Sequence, residues 1–185
     1  MSFKRFICLA GLLMASSLVY AEDAPESVKT LIPELKALGT NPVLVAAVKA
    51  QNAKGMTLDE IKKRDEAWMA TSGVDDFMKE MMNNDAAKEL AKIEKSKPFF
   101  DELFLMDDLG ANVAMTNKTS DYWQGDEEKF TGSFNNGAGG LDVGKVKFDK
   151  SAQAYLVQVS VPVMEGGKAI GAITIGINID ELEKK

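Results

Sequence analysis

Apolar residues recur through the first half of the chain at the spacing of one helical face. Val28, Leu31, Ile32, Leu35 and Leu38 mark a helix over Ala24 to Leu38, which Gly39 ends. Asn41-Pro42 supplies a cap and a proline at the first helical position for a second helix, Val43 to Ala53. Thr57-x-x-Glu60 is a capping box that opens a third helix to about Ser72, with Leu58, Ile61, Ala67 and Trp68 mostly on one side. Met78, Met82, Ala86, Leu90 and Ile93 continue the helical period, and Asn83-Asn84-Asp85 is a candidate break between two short helices.

The pattern changes at Pro98. Phe99 to Met106 is a dense apolar run, Asp107-Asp108-Leu109-Gly110 a turn, and Asn112 to Thr116 alternates, which together predict a hairpin. Asp121 to Phe130 is polar and aromatic and predicts a loop with one helical turn. Asn135 to Gly140 is glycine-rich and expected to be mobile. Strands follow at Lys145 to Asp149, Ala154 to Met164 and Lys168 to Ile179, the last two joined at Glu165-Gly166-Gly167. Val157, Val159, Val161 and Val163 keep period two, as do Ile173, Ile175, Ile177 and Ile179, so each strand offers one strongly apolar face. Helices grouped ahead of a five-strand antiparallel meander predict an α+β domain with helices on one face of the sheet. The helical region is expected over 22–96 and the sheet region over 97–185, the two forming one domain.

Ahead of the first helix, Lys4 and Arg5, the apolar stretch Phe6 to Val19 and the small-residue pattern Val19-Tyr20-Ala21 have the layout of a secretory signal peptide. The apolar run falls short of the roughly 20 residues that span a bilayer. Export to the periplasm with cleavage near Ala21 is therefore expected. It would remove Cys8, the single cysteine, and move the net charge from −6 to −8. The chain has no histidine. That excludes Ser-His-Asp and Cys-His catalysis and histidine metal sites, and without Cys8 it excludes disulfides and thiolate chemistry. A pI near 4.8 argues against a nucleic-acid partner. No cofactor and no metal site is expected.

The run Thr119-Ser-Asp-Tyr-Trp-Gln-Gly-Asp-Glu127 and its lead-in from Phe104 resemble the extracytoplasmic Cache (PDC-type) sensor domains of bacteria. The tail Val157 to Met164, followed by Gly167-Lys-Ala-Ile-Gly-Ala-Ile-Thr-Ile-Gly176, is similar to that family's last two strands. The resemblance spans about Asn41 to Leu182. It implies a PAS-like five-stranded antiparallel sheet with N-terminal helices packed on it, and a ligand pocket between the sheet and the segment after the second strand. It also implies a small-metabolite ligand such as a carboxylate or amino acid. Most such domains are ectodomains of chemoreceptors, histidine kinases or cyclic-dinucleotide enzymes. This chain departs from that pattern by ending at Glu181-Leu-Glu-Lys-Lys185 without a second membrane helix, so a stand-alone domain acting through a separate membrane partner is expected, with pairing of two copies along the N-terminal helices left open.

Candidate site residues cluster around that segment. Tyr122 and Trp123 would either wall a pocket or cap the core. Asp121 and Asp126 would hold a ligand amine or hydroxyl, serve as the acid-base pair of a small hydrolase, or stand as carboxylates at a helix start. Arg64 and Trp68, four residues apart, would suit a ligand carboxylate, unless Lys62-Lys63-Arg64-Asp65-Glu66 is a solvated face. Thr116, Lys129 and Tyr155 complete the set, each equally suited to a structural role. The remaining alternative is an interaction module whose pocket is filled by its own side chains.

Overall fold

The computed structural model describes residues 23–150 and 152–184. The expected signal peptide, 1–21, lies outside them. Five helices come first: α1 (Glu26–Leu38), α2 (Pro42–Asn52), α3 (Leu58–Ala70), α4 (Asp76–Asn83) and α5 (Asp85–Lys95). Side chains set their starts. Asn41 accepts the Val43 N–H at 2.9 Å, and Thr57 and Glu60 exchange the reciprocal bonds of the capping box. Asn84 accepts the Ala87 N–H at 2.8 Å, so the polar run at 83–85 ends α4 and caps α5.

The sheet contains β1 (Phe100–Met106), β2 (Asn112–Met115), β3 (Asp142–Val143), β4 (Lys147–Asp149), β5 (Ala154–Glu165) and β6 (Lys168–Asn178). Helix α6 (Glu128–Phe134) lies between β2 and β3, and α7 (Ile179–Leu182) follows β6. All pairings are antiparallel, in the order β2-β1-β6-β5-β3, and β4 also pairs with the outer edge of β5. The strand expected over Lys145 to Asp149 is present as the short β4, while β3 lies ahead of it and was not expected. The hairpin turns use glycine where the backbone turns left-handed: Gly110 at φ 83°, and the pair Gly166 and Gly167 at 56° and 81°.

The fold is α+β with a PAS-like sheet, but two expectations need correction. The strands do not run as a meander, because β6 enters between β1 and β5. Nor do the helices keep to one face. On the back, α1, α2 and α5 bury Val28, Leu35, Leu44, Val48 and Leu90 against Val157, Val159, Ile173 and Ile175. On the front, Phe130 of α6 joins Trp68 of α3, Met78 of α4 and Tyr122 in a second core against Phe104, Met106 and Ala172. Small residues line that second face of β6, namely Ala172, Thr174 and Gly176, so its alternation displays only the large apolar set. The Asn135–Gly140 stretch, expected as a mobile run, is a bonded turn closing α6. There the Gly139 and Gly140 N–H groups donate to the Phe134 and Ser133 carbonyls at 3.1 and 2.8 Å.

Candidate functional site

One row of residues across the sheet builds the floor of a cleft. Glu102 on β1, Gly176 on β6 and Gln158 on β5 lie in register. The Glu102 side chain passes over Gly176, where a Cβ would stand 2.5 Å from Glu102 Cγ. Glycine therefore opens the path along which Gln158 Nε2 donates to Glu102 Oε1 at 2.7 Å. Burial pushes the Glu102 carboxyl above its usual range, and the Asp149 and Asp101 charges add to this; the Gln158 bond and Lys129 oppose it. In the next row Phe104, Thr174 and Ser160 lie side by side, with the two buried hydroxyls bonded at 2.8 Å.

The walls come from α6, β4 and the segment between β2 and α6. Lys129, Asp149, Lys118, Thr119, Ser120 and Gln124 enclose, with that floor, a cleft of about 390 Å³. Lys129 Nζ donates to Gln124 Oε1 at 3.2 Å, pairs with Glu127 at 3.0 Å and lies 5.4 Å from the centre of the Phe104 ring. A smaller lobe of about 190 Å³ shares Glu102, Asp149 and Gln158 and continues along Leu156, Lys145 and Lys147.

Helix α3 holds the 118–124 segment in place. Trp68 Nε1 donates to the Thr119 carbonyl at 2.9 Å, and Asp65 Oδ1 accepts the Tyr122 and Trp123 N–H groups at 2.7 and 3.1 Å. Lys118 Nζ donates to the carbonyls of Thr71 and Gly73, both at 2.9 Å, just past the end of α3. From the other side, Trp123 Nε1 donates to the Leu109 carbonyl at 2.8 Å, which ties the segment to the β1–β2 hairpin.

Of the residues singled out from the sequence, Lys129 lines this cleft and the others lie elsewhere. Tyr122 is wholly buried between Trp68 and Phe77, at ring distances of 5.8 and 5.5 Å. Its hydroxyl has no hydrogen-bond partner among the described residues, and burial pushes it up to about 12. The nearby Asp107 charge adds to that shift, while Arg64 and Gln51 oppose it, Gln51 without hydrogen-bond geometry. Trp68 is core. Trp123 turns outward under Lys62, whose ammonium lies 4.6 Å from the ring centre, and shares an open outer groove with Asp121 and Asp126. Arg64 is exposed, with its guanidinium 4.2 Å from the Phe77 ring. Thr116 is a rung of the β1–β2 ladder, its hydroxyl accepting the Leu103 N–H at 3.0 Å. Tyr155 stands half exposed against Phe148 at the sheet edge.

The floor residues Glu102 and Gln158 were missed. Their signal is parity: Glu102 shares it with Phe104 and Met106, and Gln158 with Leu156 and Ser160, so both occupy a face that is otherwise packed. Among the described residues no group of three or more Asp or Glu side chains is arranged to hold a metal ion.

The sheet thus carries helices on its back and a cleft roofed by the 118–124 segment in front. No protein-family model matches the chain, and no curated protein matches it. Among solved structures it is similar to the sensor domain of the V. cholerae histidine kinase DctB, with 13% identity, 85% of this chain and 53% of that one covered, and a TM-score of 0.48. It is also similar to the ligand-binding domain of the Campylobacter jejuni chemoreceptor Tlp3 in complex with L-norvaline, with 13% identity, 86% and 62% coverage and a TM-score of 0.43. The ligand-binding domain of the Pseudomonas aeruginosa amino acid chemoreceptor PctC in complex with GABA gives 12% identity, 84% and 63% coverage and a TM-score of 0.39. The chain thus spans between about half and two thirds of the length of these structures, and the likeness is one of fold.

Proposed function

We propose that this chain is a small-molecule-sensing domain that takes an amino acid, or a small carboxylate, in the cleft on the front of the sheet. Glu102 carries the proposal. A half-buried carboxylate held by Gln158 over a glycine gains most from a ligand ammonium, which would offset its loss of hydration. Lys129, in the same cleft, supplies the cation for a ligand carboxylate. The domain would be exported with cleavage near Ala21 and would report to a separate membrane sensor kinase, chemoreceptor or cyclic-dinucleotide enzyme, alone or as a homodimer.

Melting and calorimetry across a panel of amino acids and carboxylates test the cleft. An amine-bearing carboxylate is expected to raise the melting temperature, since binding to the folded state alone stabilises it. Glu102→Gln should weaken that ligand at least about tenfold, the loss of one charged hydrogen bond. A panel without any stabilising compound, or a Glu102→Gln protein that binds as tightly as the parent, would remove the cleft from consideration. Mass spectrometry of the exported protein should find Glu22 first; an intact Met1 would refute the export step.

A further inference from the structure

Charges are ordered along the length of the cleft. Lys118 and Lys129 line the larger lobe, Glu102 and Asp149 lie where the lobes meet, and Lys145 and Lys147 line the smaller one. Cations therefore flank the central carboxylates on both sides. The lysines differ in how they are engaged. Lys118 is held by two carbonyls, Lys129 by Gln124 and Glu127, and Lys145 faces Asp23 at 3.9 Å. Lys147, opposite Leu156 in the β4–β5 ladder, has no ion-pair partner among the described residues.

We propose that the ligand is an amino dicarboxylate, with its ammonium at Glu102, one carboxylate towards Lys129 and the second towards Lys147. This rests on the function proposed above and narrows its ligand class. A neutral amino acid satisfies only the larger lobe and the centre and offers Lys147 nothing to bind, although Asp142 already feels that ammonium's charge. A dicarboxylate lacking the amine places nothing positive beside Glu102, so the central carboxylates repel it. Only the negative, positive, negative sequence of an amino dicarboxylate matches the whole cleft, and specificity of this kind comes from the mismatch that the alternatives suffer.

The test is calorimetric titration of the intact protein with L-glutamate, with L-glutamine, which has the same length but an amide in place of the second carboxylate, and with glutarate, which lacks the amine. L-aspartate and L-asparagine repeat the comparison at a shorter spacing. In at least one pair the dicarboxylate is expected to bind ten or more times tighter than its amide, with glutarate weaker than glutamate. Lys147→Gln, an exposed position whose folding is checked by circular dichroism, should bring that ratio close to one. Amides that bind as tightly as their acids, glutarate that binds tighter than glutamate, or a ratio that survives Lys147→Gln would each overturn the dicarboxylate assignment. In those cases the general function stands, provided that some amino acid still binds and Glu102→Gln weakens it. Failure of every amino acid to bind would overturn both.

Discussion

Asp107 is the most buried acidic residue among the described residues. It is 3% exposed, and its Oδ1 accepts the Leu109 and Ala111 N–H groups at 2.9 and 2.8 Å, shaping the bend of the first hairpin. Burial outweighs those bonds and pushes its carboxyl up to about 6 from 3.8. Because the folded state holds this proton more tightly than the unfolded chain, stability falls as pH rises from about 4 through about 6. The full shift corresponds to roughly 3 kcal/mol. Asp107→Asn keeps an acceptor for both N–H groups without the charge. Urea midpoints measured from pH 4 to 7 should be flatter for it than for the parent, and higher at pH 7; an unchanged slope would show that Asp107 titrates normally. Tyr122 gives a second expectation. Its buried hydroxyl is unpartnered, so Tyr122→Phe should leave the melting temperature unchanged or raise stability by about 1 kcal/mol. A clear loss would mean that the hydroxyl has a bonded partner. At this scale the candidate site was only partly legible. Lys129, on α6 one helical turn past Gly125, lines the cleft. Tyr122 and Trp123 do not, and residue type does not reveal which way a side chain in such a segment points. Glu102 and Gln158 carry only the signal of parity with a packed face, and a single polar position there does not announce a cleft.

Among the elements, the 118–124 segment depends most on a neighbour. Asp65 joins it to α3, its one buried carboxylate accepting both the Tyr122 and the Trp123 backbone N–H. Asp65→Ala leaves both donors unpaired and should lower stability by about 2–4 kcal/mol, with faster hydrogen exchange at the Tyr122 and Trp123 amides. A destabilised protein with unchanged exchange at those two amides would place the effect elsewhere. In the sheet, Gly176→Ala would drive a methyl group into Glu102 Cγ, an overpacking change that typically costs about 1–3 kcal/mol. It should also shift Glu102 off Gln158, so ligand affinity should fall even in protein that remains folded by circular dichroism. Helices α1 to α5 and strands β1, β2, β5 and β6 were legible nearly to their ends, whereas β3 and α7 were not expected. Caps such as Thr57 with Glu60 act within a few residues of chain, so local pattern suffices to read them. The 118–124 segment was not, because its conformation is imposed by Asp65, Trp68 and Leu109, each 14 or more positions from the residue it bonds.

For the molecule as a whole, the α+β class followed from the switch from period 3.6 to period two near Pro98. Strand order did not follow, because alternation tells which face of a strand is buried and not which strand lies beside it. In β6 the run from Gly171 to Ile177 is buried throughout, the mark of a strand with neighbours on both edges and packing on both faces. That position bears on how the protein is made. The ribosome completes β6 after the other five described strands, yet among them it is the one that joins β1 to β5. Until it emerges, Val157 and Val159 have no Ile175 or Ile177 to pair with, and the two parts of the sheet remain unconnected. A chain stopped at residue 167 should therefore be digested rapidly by protease and melt without a cooperative transition, although it retains every helix except α7. The sheet therefore cannot close from β1 across to β5 until β6 has been made, however early the helices form.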